Sequence, residues 1–118
     1  MRSLPNSFRY AFSGLGYCIK TQKNMRIHLV AGLMVLLLGL WLEVAFTEML
    51  FLLTAVFLVI ILEVLNTAIE KAVDVATREF NPVAHIAKDV AAGAVLLSAL
   101  FAVLVGLIVL FPPLLARL

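Results

Sequence analysis

The sequence predicts an all-α membrane protein in which an N-terminal amphipathic surface helix precedes three transmembrane helices. Hydrophobic residues make up 64% of the 118 residues, charged residues make up only 14%, and the mean hydropathy is +1.15. Soluble domains have about 45–50% apolar and about 25% charged residues, and a soluble fold of this length could not bury so much apolar surface. Long stretches with little or no charge supply the three candidate spans.

The same composition excludes several other classes of chain. Low charge, few glycines and prolines and a single cysteine argue against a disordered chain, a collagen-like chain and a disulfide scaffold. Cys18 has no second cysteine to pair with, and we interpret it as a small apolar core residue. The length predicts one membrane-embedded domain over residues 1–118.

The segment 3–20 is predicted to be the surface helix. Four apolar side chains recur there at spacings of three or four residues, on one face of a helix: Phe8, Phe12, Leu15 and Ile19. Basic and polar side chains lie off that face: Arg9, Ser13 and Lys20. A basic, aromatic amphipathic helix next to membrane spans is typical of a helix lying in the interface.

The three spans are predicted at 27–43, 48–78 and 83–111. The first is uncharged up to Leu42 and carries Trp41 near its end, where an aromatic belt is expected. The second contains Glu63 and is broken from Thr77 onward, since Pro82 disfavours helix at the residue before it. The third is predicted to end at Pro112 and Pro113. It carries a stripe of small residues that permits close helix packing: Ala94, Ser98, Ala102 and Gly106.

The basic residues predict the orientation in the membrane. Eight of the nine lie before the first span or between the second and third, and only Arg117 lies at the far end. By the positive-inside rule the N-terminus and the second connection face the cytoplasm, and the C-terminus faces outward.

The second span carries a polar stripe on one helical face. Its members are spaced so that all fall within about 100° of that face: Glu63, Asn66, Thr67, Glu70 and Asp74. Counted from Glu48 at the outer boundary, Glu63 lies about 22 Å and Glu70 about 33 Å inward, against a hydrocarbon core about 30 Å thick. A lipid headgroup can therefore reach Glu63, and a soluble ion can reach Glu70.

The different depths of Glu63 and Glu70 suggest different functions for their carboxylates. Partial removal from water makes Glu63 a suitable general base for a hydroxyl. The better solvated Glu70 would stay ionised and could hold a hard cation such as Mg²⁺. From spacing alone Glu63 is equally well explained as a structural hydrogen-bonding group or a residue of an ion pathway.

The middle connection supplies further candidates. Lys88 could contact a phosphate or anchor the third span at the interface, and Asp89 could be an ordinary helix-start acid. His28 and His85 have no partner at metal-ligand spacing, so we interpret both as interfacial.

The polar stripe also carries a family resemblance. The run from Glu63 to Asp74, EVLNTAIEKAVD, closely resembles the signature of the prokaryotic diacylglycerol kinase family. The run AKDVAAGAVL from Ala87 resembles the second block of that family, and SFRYAF and NMRIH resemble its N-terminal blocks. The likeness covers almost the whole chain. It implies three spans and a surface helix, a homotrimer with sites shared between protomers, and a bacterial inner-membrane location.

The resemblance implies ATP-dependent phosphorylation of a lipid hydroxyl at the cytoplasmic interface. Glu63 matches the catalytic base, which meets the lipid substrate, and Asn66 matches a nearby polar residue of the active site. Glu70 matches the carboxylate that holds the Mg²⁺ bridging the ATP phosphates. Nucleotide contacts are assigned to Tyr17, Glu79, Asn81, Lys88 and Asp89, and a lipid contact to Arg9.

The chain departs from the family pattern at two of these positions. Many members have a Glu as a second metal ligand just before the first span, where this chain has Gln22, a neutral and weaker ligand. Asn81 stands where some members have His.

Three hypotheses for the function remain open. The first is a lipid kinase that phosphorylates diacylglycerol, and the second is a kinase that phosphorylates undecaprenol. The contexts of Asn24–His28 and Asn81–Pro82 look more like the undecaprenol branch. The third hypothesis is a small ion-coupled transporter or membrane subunit that uses Glu63 as its intramembrane acid. Transport requires a site near the midplane, whereas these charges cluster at one edge. No nucleic-acid partner is expected.

Overall fold

The computed structural model describes residues 3–118 as four α-helices in one chain. These are α1 (Leu4–Thr21), α2 (Lys23–Trp41), α3 (Phe46–Ala76) and α4 (Pro82–Arg117). The prediction of an all-α fold is confirmed, and α2, α3 and α4 are long and apolar enough to cross a membrane. Arg2, one of the basic residues used for the orientation, lies outside the described residues.

Two helix boundaries differ from the prediction by more than two residues, and the others differ by one or two. α2 begins at Lys23, before the expected start at residue 27. The expected start excluded Lys23 and Arg26 from an apolar span, but a helix can continue beyond the membrane with charged residues in its first turn. α4 ends at Arg117 rather than at residue 111, so the prediction that Pro112 and Pro113 end it is wrong. Proline has a helical φ, and near a helix end its missing N–H removes few hydrogen bonds.

The corner between α1 and α2 is held by a cation. Gln22 is extended there, with φ −107° and ψ 109°. Nη1 of Arg26 donates to the carbonyl oxygens of Ile19 at 2.8 Å and Lys20 at 3.0 Å. Because these carbonyls lie at the C-terminal end of α1, the guanidinium both satisfies them and complements the helix dipole. These hydrogen bonds fix the orientation of α1 relative to α2.

The two turns at the ends of α3 are specified by local polar groups. Glu43, between α2 and α3, has a positive φ of 55°, and the Glu48 carboxylate accepts a hydrogen bond from the backbone N–H of Ala45 at 3.2 Å. After Ala76 the chain is non-helical until Pro82, so the predicted break is confirmed. Asn81 Oδ1 accepts from the backbone N–H groups of Val83 and Ala84, which caps α4.

The buried core lies around the α2–α3 turn and the second half of α4. It is formed by Leu42, Leu52, Ala55, Val105, Val109 and Leu110. α3 packs against both neighbouring helices, and α2 approaches it closely at Gly32, where a Cβ atom would lie 2.6 Å from Val56 Cγ1. Many other apolar side chains of the three long helices are exposed, as expected for helices that contact lipid.

The predicted small-residue stripe of α4 is only partly used within the chain. Ser98 is buried, but a Cβ atom added at Gly106 would meet nothing within 4 Å. Gly106 and Ala102 instead line an apolar cavity of about 470 Å³ between α2, α3 and α4. The close approach of helices occurs at Gly32 of α2, a position that the stripe did not indicate.

Candidate active site

The polar stripe of α3 is turned toward protein at its membrane end. Glu63 and Thr67 are each only 3% exposed, Asn66 and Glu70 are half-buried, and Asp74 is exposed. Burial of a carboxylate within a membrane-spanning helix is costly unless polar groups surround it. Burial by the surrounding protein therefore decreases along the stripe from Glu63 to Asp74.

His28 of α2 lies beside the Glu63 carboxylate. The distance from His28 Nε2 to Glu63 Oε2 is 3.8 Å, and the imidazole is 24% exposed. His28 therefore has an ionisable neighbour on α3 that the sequence analysis did not identify. The spacing within α2 could not reveal the contact, because it depends on how α2 is rotated against α3.

Asn66 contacts Glu70 along the stripe. Its Nδ2 donates to Glu70 Oε1 at 3.5 Å, one helical turn away. Within residues 3–118, Asn66 Oδ1 is the buried side-chain polar atom that has no hydrogen-bond partner. This unpaired amide oxygen belongs to the residue one helical turn from Glu70, and amide and carboxylate oxygens are both among the ligands that Mg²⁺ accepts.

A ready-made cluster of acidic, histidine or cysteine metal ligands is absent from the described residues. In the described part of the chain, no group of three or more His, Cys, Asp or Glu side chains could hold a metal ion. Gln22 lies at the α1–α2 corner, where its Nε2 donates to Thr21 Oγ1 at 3.4 Å. Mg²⁺ is commonly held by one or two carboxylates together with substrate phosphates, so a site on Glu70 does not require a cluster of acids.

The connection between α3 and α4 brings several expected nucleotide residues together. It encloses a cavity of about 220 Å³ whose polar lining is Asp74, Arg78, Glu79, Asn81, His85 and Lys88. The Lys88 ammonium donates to Asp74 Oδ1. Asp89 pairs with His85, at 3.0 Å between Oδ2 and Nδ1, so His85 too has a partner that the sequence analysis missed.

α1 covers the part of α3 that carries Thr67 and Lys71. A second cavity of about 450 Å³ lies between these helices, and Tyr17, Cys18, Thr67 and Lys71 contribute to its lining. Lys71 Nζ lies 5.8 Å from the centre of the Tyr17 ring, which brings Tyr17 beside the turn of α3 that carries Glu70. Arg9 is exposed and stacks on Tyr10, with its Cζ 5.4 Å from the ring centre.

Comparison with known proteins gives this arrangement a family. The family model of prokaryotic diacylglycerol kinase matches residues 9–110, a range that includes the whole polar stripe and the α3–α4 connection. The chain belongs to the prokaryotic diacylglycerol kinase family. The resemblance inferred from the sequence is thereby confirmed.

Several relatives within this family are named lipid kinases. The chain is 46% identical over 111 residues to a diacylglycerol kinase of Synechocystis sp., an alignment that covers 93% of this chain but 63% of that relative. It is 36% identical over 108 residues to an undecaprenol kinase of Bacillus subtilis, covering 92% and 88% of the two chains. It is 33% identical over 102 residues to a diacylglycerol kinase of Escherichia coli, covering 86% and 84%.

Proposed function

We propose that the chain is an ATP-dependent lipid kinase that phosphorylates a membrane-lipid hydroxyl at the cytoplasmic interface. The observation that carries this proposal is the buried Glu63 carboxylate inside a membrane-spanning helix of a chain from a lipid kinase family. The acceptors considered are diacylglycerol and undecaprenol, and their products are phosphatidic acid and undecaprenyl phosphate. The transporter alternative is not favoured, because the family assignment points to kinases.

Glu63 is proposed as the general base. As the lipid hydroxyl oxygen attacks the γ-phosphorus, its proton passes to the carboxylate and ADP departs. Phosphoryl transfer needs alignment and charge neutralisation more than covalent chemistry, so a positioned base and nearby cations are sufficient. The 3% exposure of Glu63 keeps bulk water away from the proton transfer.

Glu70 is proposed as the principal protein ligand for Mg²⁺. The unpaired Asn66 Oδ1 supports this assignment, since it offers a second oxygen one turn away. Bound there, Mg²⁺ would neutralise charge on the ATP phosphates. Gln22 remains the proposed second protein ligand, weaker than the carboxylate that many family members have at this position.

The nucleotide is proposed to bind at the α3–α4 connection and under α1. Lys88, Glu79 and Asn81 share one cavity, with Asp89 at its edge. To contact a phosphate, the Lys88 ammonium would exchange Asp74 for that phosphate. Asn81 Oδ1 already caps α4, so its contribution would be to hold the start of the helix in place. Tyr17 would contact the nucleotide from α1, and Arg9 would contact the lipid headgroup.

We further propose a multi-pass protein of the bacterial inner membrane. The N-terminus and the α3–α4 connection would be cytoplasmic and the C-terminus outside, as the distribution of basic residues predicts. α1 would lie on the membrane surface. The under-used small-residue stripe of α4 supports a homotrimer in which neighbouring protomers complete each site.

The decisive experiment offers both lipids to the purified protein. The protein in mixed micelles receives labelled ATP and Mg²⁺ with diacylglycerol or undecaprenol, and the labelled lipid is quantified. We expect label in at least one lipid, dependence on Mg²⁺, and its loss in Glu63→Gln. Absence of label from both lipids in an assay where a known lipid kinase is active would refute the proposal.

A further inference from the structure

We propose that His28 is a positioning residue that orients the Glu63 carboxylate and receives the proton that Glu63 takes from the lipid. The inference rests on the proposed function and extends it to a residue of α2. Its basis is the distance of 3.8 Å between His28 Nε2 and Glu63 Oε2, which brings two ionisable side chains from different helices together inside an apolar bundle.

The surroundings of Glu63 leave the proton few destinations. Glu63 is 3% exposed, and among the described residues His28 is the basic side chain that lies within 4.0 Å of it. The polar neighbours on α3 do not serve as acceptors. Thr67 Oγ1 donates to the Glu63 backbone carbonyl at 3.0 Å, and Asn66 is an amide that cannot take up a proton. A carboxyl group that stayed protonated could not act as a base in the next turnover.

His28 is suited to pass the proton on. Its imidazole is 24% exposed, against 3% for Glu63, and it lies about 7.5 Å along α2 from Lys23 at the helix start. A neutral imidazole nitrogen accepts a proton readily near neutral pH. Closing 3.8 Å to a hydrogen-bond distance needs a shift of less than about 1 Å, within reach of a small side-chain rotation.

The charged groups around His28 favour this exchange with Glu63 in particular. On α2, the nearby Arg26 is directed to carbonyl oxygens at the end of α1. On α3, Glu63 faces the imidazole and Glu70 lies two turns further along. The α4 side chains that line the cavity beside His28 are apolar, among them Ala99, Val103 and Gly106.

The proposed reaction sends the γ-phosphoryl group to the lipid and the hydroxyl proton to His28. The lipid hydroxyl oxygen forms a bond to the γ-phosphorus, the bond from that phosphorus to the β,γ-bridging oxygen breaks, and ADP leaves. The hydroxyl proton moves to Glu63 and from there to Nε2 of neutral His28. The resulting imidazolium releases the proton to interfacial water, which restores both side chains.

The kinetic test separates positioning from proton uptake. His28→Leu removes both, and we expect kcat to fall by at least about 10-fold with little change in KM for ATP. His28→Gln keeps an amide oxygen that can accept a hydrogen bond from the protonated Glu63 carboxyl but takes up no proton, so its kcat should lie between those of wild type and His28→Leu. Val30→Ala is the matched control on the exposed side of α2 and should keep wild-type turnover. Turnover of His28→Leu equal to that of wild type would overturn the inference.

Chemical rescue distinguishes proton uptake by His28 from a purely structural contribution, because added base cannot restore lost packing. Added imidazole should raise the turnover of His28→Ala in proportion to the neutral base, using the space of the adjacent cavity, and should not raise that of Glu63→Gln. Turnover of His28→Ala that does not respond to imidazole would count against proton uptake by His28.

A spectroscopic test does not depend on turnover. The infrared band of the Glu63 carboxyl, assigned by its loss in Glu63→Gln, should change frequency in His28→Leu and not in Val30→Ala. An unchanged band in His28→Leu would overturn the inference even in an active kinase. If the band changes in His28→Leu but the wild-type protein labels no lipid, the interaction of His28 with Glu63 is supported and the proposed function is refuted.

Discussion

The two ends of the helical bundle are built from the same three long helices and serve different purposes. The apolar end comprises Leu42, Leu52, Ala55, Val105, Val109 and Leu110. The polar end comprises His28, Glu63, Asn66, Thr67, Glu70, Asp74 and Lys88. At the apolar end side chains are buried against one another, whereas at the polar end buried groups keep unpaired or ionisable atoms. This difference indicates that stability and chemistry can be altered separately, by substitutions at opposite ends of α3.

The largest effect is expected from Glu63→Gln at the polar end. Loss of a general base should lower kcat by about 100- to 10,000-fold, because glutamine cannot take the hydroxyl proton. Transfer of label from ATP to lipid measures this effect. Thermal unfolding and the elution volume in detergent should match wild type. Wild-type turnover with unchanged assembly would show that Glu63 is not the base.

Leu52→Ala is the corresponding change at the apolar end. Leu52 is 1% exposed, and its truncation should lower the free energy of unfolding by about 2–5 kcal/mol through lost burial and a new cavity. Denaturant titration in detergent measures the loss. Turnover per folded molecule should stay near wild type. A loss of kcat without a loss of stability would contradict the conclusion that the apolar end contributes to stability and not to chemistry.

Gly32→Ala tests the close contact that joins α2 to α3. The new Cβ would lie 2.6 Å from Val56 Cγ1, so overpacking should cost about 1–3 kcal/mol of unfolding free energy. Gly93→Ala is the matched control, since a Cβ atom there meets nothing within 4 Å and the residue lies outside the small-residue stripe of α4. Adding Val56→Ala should restore part of the stability lost in Gly32→Ala. Equal stability of the two glycine variants would contradict the contact.

The smallest effect is expected from Gln22→Glu. A second carboxylate should lower the Mg²⁺ concentration for half-maximal labelling several-fold, because charge strengthens a hard-cation ligand. The measurement is a Mg²⁺ titration at saturating ATP, with Gln22→Leu as the neutral control. An unchanged midpoint in Gln22→Glu would remove Gln22 from the proposed metal site.

The sequence predicts what local spacing and turn chemistry specify. The polar face of α3 follows from helical periodicity, and the break before Pro82 follows from the restriction that proline imposes on Asn81. The pairing of His28 with Glu63 could not be predicted, because α2 is apolar on most faces and its rotation against α3 is set by the contact at Gly32. Lys88 and Asp74 were each identified as polar candidates, but their ion pair depends on how the α3–α4 connection folds.

The continuity of α4 has a mechanical consequence. One helix runs from Pro82 to Arg117, so Lys88 and the buried Val105 lie on the same rod, about 25 Å apart along its axis. A tilt of about 5° about Val105 would displace Lys88 by about 2 Å, more than half the length of a hydrogen bond. Helix tilt responds to bilayer thickness. α4 would therefore act as a lever that makes the position of Lys88, the proposed phosphate contact, depend on the thickness of the surrounding membrane.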